Sequence, residues 1–270
     1  MIDVLSLTFN EVGFLATVAF CAGLVRGFAG FGMAAFFMSL SVLVLPPIAL
    51  IPVCWVMDAV ASAILVRGSW SEADRGVAIG LVCGVLFGLP IGLTVTGWLP
   101  EDDSRLAALL LIITLASLQL ARIQASALTR GPGLVGSGVL VGFATGIASV
   151  GGMVAALCVL SQDRPARVLR ATLILCLVLI SVFFLLWLIT LGMMDWLAIK
   201  RGLAMAIPVA TGVFLGQFLF RPGVEKYYKP FCLVLLLSLA SASLLHTAGI
   251  VHPDCCLLYT SPSPRDRVQS

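Results

Sequence analysis

Charge is what this sequence has least of. Only 11% of its 270 residues are Asp, Glu, Lys or Arg, against roughly 25% in an ordinary soluble domain, while 60% are hydrophobic and the mean hydropathy is +1.12. That balance excludes a soluble enzyme or a nucleic-acid binder, and a net charge of +3 is too small to point to a polyanionic partner. Histidine is also scarce. His246 and His252 form neither H-E-x-x-H nor any other ligand spacing, so no metal centre is expected. None of the eight cysteines makes a C-x-x-C pair and six lie in apolar stretches, where a thiol serves as a small hydrophobe rather than in a disulfide or redox site. A G-x-x-x-x-G-K-[ST] phosphate loop is missing, which leaves an ion gradient or the substrate's own gradient as the source of energy. Without clustered His, Cys or paired carboxylates there are no catalytic residues to name and no cofactor to expect. The first eleven residues show no basic start and no small-residue cleavage site, so the first apolar segment is expected to stay in the membrane.

What the chain has in plenty is apolar runs broken by glycine. A bilayer core of ~30 Å needs about 20 helical residues, so the charge-free runs at 76–100, 171–194 and 202–220 each make one crossing. The runs at 27–57 and 131–162 are 31 and 32 residues long, too long for one crossing and too short for two with a turn. Breaks are supplied in the first by Gly27-Phe28-Ala29-Gly30-Phe31-Gly32 and Pro46-Pro47, and in the second by Gly142, Gly146, Ser149, Gly151 and Gly152. Glycine lets the backbone leave the helix and proline removes a donor. At a constant offset of 119 residues, Gly23, Gly27, Ala29, Gly32 and Pro46 meet Gly142, Gly146, Ala148, Gly151 and Pro165, five identities in 24 positions. An internal duplication follows.

The fold expected is therefore an all-α polytopic membrane protein of two inverted helical repeats with interrupted helices. The first repeat, residues 10–121, has segments at 10–30, 32–45, 47–66, 76–98 and 105–121; the second, residues 132–249, has segments at 132–150, 152–161, 168–194, 197–220 and 229–249. An odd number per repeat inverts the second copy. One face then carries Arg67, Arg75, Arg122, Arg130, Arg164, Arg167, Arg170, Arg221, Lys226 and Lys229, and the other only Arg105, Lys200 and Arg201, which makes the first face cytoplasmic and puts both chain ends on the opposite side. Segments 32–45 and 152–161 are short enough to be half-membrane helices. Residues 254–270 turn abruptly Ser/Pro-rich. They are expected to be disordered, and they resemble translated sequencing-adapter tails rather than native sequence.

An unwound backbone at membrane depth survives only where protein or a water-filled cavity satisfies its N–H and C=O groups. A half-helix that starts after such a break has unpaired first N–H groups and a positive dipole end, which suit an anion. The substrate-binding candidates are accordingly Arg26, Gly27, Gly30, Gly32, Thr145, Ser149, Gly151 and Gly152, with the two breaks meeting near the bilayer midplane. The plainer alternative is that the glycines only let helices pack closely, which is the reading for Gly88-x-x-x-Gly92 and Gly212-x-x-x-Gly216. A cation inside an apolar helix costs roughly 2.5 to 3.5 kcal/mol on insertion scales, so Arg26 either clamps an anionic substrate or sits in a structural ion pair; its counterpart is the neutral Thr145. Asp58, eleven residues after Pro47 and so ~17 Å into its helix, could carry a proton during transport or neutralise Arg26. Arg170, with Arg164 and Arg167, either marks the cytoplasmic face or forms a basic vestibule that concentrates anions. Asp195 reads as a helix-boundary residue.

The segments Gly23-Leu24-Val25-Arg26-Gly27-Phe28-Ala29-Gly30-Phe31-Gly32 and Gly142-Phe143-Ala144-Thr145-Gly146-Ile147-Ala148-Ser149-Val150-Gly151-Gly152, with Arg170-Ala171-Thr172 downstream, resemble the TauE/SafE family of sulfite and sulfonate exporters. The resemblance covers about residues 10–249. It implies a multi-pass inner or plasma membrane permease, not an enzyme, that moves small anions such as sulfite or organosulfonates out of the cytoplasm, with alternating access as the expected mechanism. The rivals are an anion channel through the same cavity and, from another class, a membrane assembly factor or enzyme. The expected partners are a small anionic substrate and the lipid bilayer, with no nucleic acid; a homodimer is compatible with the sequence.

Overall fold

The computed structural model describes residues 7–42, 44–100, 132–162 and 164–220, with the single residues 110 and 114. Apart from those two, the segments expected at 105–121 and 229–249, and the tail at 254–270, lie outside the described residues. The described residues form helices and no strands: α1 (Phe9–Ala29), α2 (Met33–Ser41), α3 (Pro47–Ser69), α4 (Arg75–Trp98), α5 (Pro132–Ala148), α6 (Gly151–Leu160), α7 (Ala166–Thr190) and α8 (Trp196–Leu219). Five of them, α1, α3, α4, α7 and α8, are long and apolar enough to cross a membrane. At 1.5 Å per residue the 21 residues of α1 reach ~31 Å, the thickness of a bilayer core, and the nine of α2 only ~14 Å.

Polar residues mark the helix starts. Thr8 and Glu11 make a reciprocal capping box at α1, with Thr8 N–H donating to Glu11 Oε2 at 2.7 Å. Asp74 accepts from the N–H groups of Gly76 and Val77 at the start of α4, and Asp195 does the same for Trp196 at the start of α8, in keeping with its reading as a boundary residue. These side chains fill donors that a first turn leaves open. Pro47 opens α3, where the missing N–H costs nothing. α7 was expected to run to 194 but stops at Thr190, because Gly192 turns the chain at φ +67°.

Glycine faces bring helices from the two halves together. α1 lies on α8 through Gly23, Gly27, Gly212 and Gly216, and α4 lies on α5 through Gly84, Gly88, Gly92, Gly138, Gly142 and Gly146. In each pair residue numbers rise together, Gly23 against Val209 and Gly27 against Val213, Gly84 against Gly138 and Gly92 against Gly146, so both pairs are parallel. A Cβ on Gly142 would stand 2.9 Å from Val85 Cα, which no side chain tolerates; the backbones touch. Lipid offers no hydrophobic drive for helix association, so this close van der Waals contact is what joins them. α3 and α7 run antiparallel, since Trp55 reaches Ser181 while Asp74, just beyond α3, meets Thr172.

The two short helices occupy the centre. Phe31, Met33, Phe37 and Met38 around α2, and Met153, Ala155, Ala156 and Val159 of α6, are buried, and α2 touches α6. The long helices enclose them and present Phe87, Leu186 and Ile207 outward, as a lipid-facing surface requires. A shift of 119 residues carries the end of α1 onto the end of α5, the end of α2 onto that of α6, and the start of α3 onto that of α7. The chain is thus an all-α, multi-span membrane protein.

The packing predicts opposite outcomes for two glycines. Gly88→Ala drives a methyl into the Val139 backbone and should cost ~1–3 kcal/mol, whereas Gly136→Ala meets nothing within 4 Å and should be neutral or stabilising by roughly 0.5–1 kcal/mol. Thermal unfolding in detergent would show Gly88→Ala well below wild type and Gly136→Ala at or above it.

Candidate functional site

The site is built on two chain breaks. α1 ends at Gly30, which takes φ +84° and donates its N–H to the Arg26 carbonyl at 2.9 Å; Gly32, also at φ +84°, opens α2. In the second half Ser149 stands at the position of Gly30 and takes φ +54°, the one non-glycine among the described residues with positive φ. A left-handed serine is strained by about 1–3 kcal/mol, and it sits at the same point where α5 gives way to α6. The two breaks come together: a Cβ on Gly152 would lie 3.9 Å from the Gly32 nitrogen.

Neither α2 nor α6 has a side-chain cap. In the first turn of α6 the Met153 N–H already donates to the Val150 carbonyl at 2.9 Å; other first-turn N–H groups have no partner within a helix, and the two helix starts border a cavity that is partly open to solvent. Gly32, Met33, Ala34 and Ala35 line it from one break and Ser149, Val150, Gly152 and Met153 from the other. Arg26 and Thr145 add side chains from the ends of α1 and α5. α3 contributes Cys54, Trp55 and Asp58, and α7 contributes Leu177, Ile180, Ser181 and Phe184. The walls are thus largely apolar around a small polar centre.

Arg26 organises that centre. It is 1% exposed, and its Nη1 donates to the Gly30 carbonyl at 2.7 Å while Nη2 donates to Ser62 Oγ at 3.1 Å and pairs with Asp58 Oδ1 at 3.2 Å. Ser62 Oγ also lies 3.5 Å from Asp58 Oδ2. The Asp58 side chain keeps 22% exposure, and both it and Arg26 line the cavity. Two buried polar atoms at the site have no hydrogen-bond partner among the described residues, Arg26 Nε and Ser149 Oγ. Both can donate. Buried donors of this kind are rare, and each calls for an explanation.

The structure brings Arg26, Gly32, Thr145, Ser149, Gly152 and Asp58 to one cavity and places the other candidates beside it. Gly27 packs against α8 and offers its carbonyl to Arg170 Nη2 at 2.7 Å. Gly30 holds Arg26 and faces Arg170 and Ile174, and Gly151 packs against Thr145 and Val141. Thr145 gives its own hydroxyl proton to the Val141 carbonyl at 2.7 Å. Arg170 reaches the end of α1, donating to Phe28 and Gly27 carbonyls and stacking over the Phe220 ring at 4.4 Å. Trp55, Ser62 and Ser181 were not singled out from sequence. Trp55 and Ser62 stand three before and four after Asp58, on the same helical face, and that spacing is the signal that could have found them.

A model of the family described as sulfite exporter TauE/SafE matches residues 15–243. The protein therefore belongs to a family of membrane transporters of the sulfite and sulfonate type. No curated protein and no solved structure matches the chain.

The ion pair yields a test that separates stability from function. Arg26→Met leaves Asp58 without its cation and should lower stability by roughly 3–5 kcal/mol. Combining it with Asp58→Leu should restore most of that loss while leaving no anion binding, as read by unfolding in detergent and by isothermal titration with sulfite.

Proposed function

We propose that the protein exports small anions such as sulfite or organosulfonates across the cell membrane, inner or plasma, by alternating access between two inverted repeats at 10–121 and 132–249. An ion gradient or the substrate's own gradient drives it. The observation that carries this reading is the meeting of two half-helix N-termini without side-chain caps at one cavity, two of whose lining residues carry a buried donor, Arg26 Nε and Ser149 Oγ, without a hydrogen-bond partner among the described residues. Helix N-termini and a guanidinium favour negative charge, and the apolar walls formed by Trp55, Leu177 and Phe184 suit a small organic body behind the anionic head.

In this reading the N–H groups around Gly32, Gly151 and Gly152 and the side chains of Arg26 and Ser149 bind the anion. Thr145, Gly27 and Gly30 shape the site. Asp58 is the proton-coupling group, and Arg170 belongs to the cytoplasmic approach. Support for inversion comes from direction: α3 and α7, equivalent at the 119-residue offset, run antiparallel. The substrate and the surrounding lipid are the only partners this mechanism requires.

Gly152 gives the test. A Cβ there meets Leu177 side-chain atoms at 3.6 Å and the Gly32 nitrogen at 3.9 Å, ordinary contact, so Gly152→Ala should fold and insert normally while placing a methyl between the breaks. Sulfite or sulfonate flux in proteoliposomes should fall at least tenfold. Saturable wild-type flux that is accelerated by substrate on the opposite side marks a carrier; flux proportional to concentration, with no counter-transport, would mark a channel and overturn alternating access.

A further inference from the structure

The cavity holds a cation that is already neutralised. Asp58 pairs with Arg26 at 3.2 Å and is the more exposed of the two, 22% against 1%, so an anion entering the site reaches the carboxylate more readily than the guanidinium. We propose that Asp58 is a resident counter-anion: the incoming anion takes its place on Arg26, and the released carboxylate takes up a proton from water, so that one proton binds with each monovalent anion. This rests on the anion site proposed above and specifies how that site balances charge.

The charges around Asp58 support the exchange. From α1 it faces Arg26, and on its own helix Cys54 and Ser62. α7 brings the thiol of Cys176 near Arg26, while its Arg170 is engaged with carbonyls of α1. On α8, Lys200 lies over Trp196 and Arg201 beside Asp195. α2 presents only Met33, Ala34 and Ala35 to the cavity. Among the described residues Arg26 is the sole cation lining this space. With Asp58 ionised, a bound monoanion would leave two negative charges sharing one guanidinium between largely apolar walls, and like charges so close disfavour both staying ionised. With Asp58 protonated the site is again neutral.

Ser62 can follow the change, since its hydroxyl now accepts from Arg26 and lies within reach of Asp58 and can either donate or accept. The neutral acid of Asp58 also gains an O–H with which to hold the anion. The second half has no equivalent exchange, because the 119-residue offset puts Thr145 and Leu177 where the first half has Arg26 and Asp58. One charged exchange per molecule follows.

Calorimetry on the purified full-length protein in detergent tests this, with methanesulfonate, ethanesulfonate and benzenesulfonate as probes because they stay ionised from pH 5 to 8. Titrations in buffers of different ionisation enthalpy should show up to one proton taken up per anion bound. Where uptake is seen, Kd should rise as pH rises, up to tenfold per pH unit. Asp58→Asn should still bind the anion, with no uptake and a Kd independent of pH. Binding by the wild-type protein without proton uptake at any pH, or uptake that persists in Asp58→Asn, would overturn the inference while leaving the anion site standing. Binding of none of the three probes would sink the anion site itself. The wild-type titration decides the matter even if Asp58→Asn does not fold.

Discussion

Everything in this bundle turns on what happens to backbone polar groups where a helix stops inside an apolar interior. The chain treats the two sides of the first break differently. On the carbonyl side of the first break, Arg26 takes the carbonyl of Gly30, and Arg170 takes those of Gly27 and Phe28, so the negative end of α1 is met by two guanidinium groups. On the amide side no side chain caps α2 or α6, and their positive ends open onto the cavity. At the first break the Gly27, Phe28 and Gly30 carbonyls are thus met by guanidinium groups, while the starts of α2 and α6 border the cavity. In the proposed reading that division favours an anion over a cation even though Arg26 is already paired with Asp58. The close glycine contacts of α1 with α8 and of α4 with α5 hold the outer helices tightly enough for the short ones to stay buried at the centre.

The two halves share a frame but not a chemistry. Gly30 and Ser149 both adopt the left-handed region, one without strain and the other holding an unpartnered hydroxyl at the cavity wall. Ser62 and Ser181, also 119 residues apart, both serve α3 contacts, the first through its hydroxyl to Arg26 and the second through its carbonyl to Trp55. Among the described residues the charged side chains lining the cavity, Arg26 and Asp58, come from the first half, and the bulky apolar wall comes mainly from the second. In the proposed reading a solute between the breaks has the Arg26–Asp58 pair on one side and the Ser149 residue with hydrocarbon on the other.

Much of this was legible in the sequence. Gly30, Gly32 and Pro46 bracket α2 because each forbids or discourages an ordinary helical residue, and the described helix ends lie close to those expected from such residues. The pairing of Arg26 with Asp58 was readable as one of two options, since both charges sit at similar depth and a lone buried charge is costly. Which glycines line the cavity was not legible. Gly27 and Gly32 are five residues apart in one cluster, yet one meets α8 and the other the cavity, and the difference lies in which way the chain turns after Ala29. Arg170 read as surface charge because its partners lie 142 and 143 residues away, and linear spacing carries no trace of that contact. The wall residues Trp55 and Phe184 looked like any aromatic in an apolar helix.

The glycine-faced pairs also bear on how the molecule is made. Each couples a helix of one half to a helix of the other, and α1 packs against residues roughly 190 positions further along the chain. During synthesis α1 enters the bilayer long before α8 exists, so its bare glycine face must wait against lipid. Arg26 waits less, because Asp58 follows 32 residues later and can shield the guanidinium as soon as α3 inserts. The order of synthesis therefore makes both partners of the Arg26–Asp58 pair available well before the residues of α8 on which α1 packs.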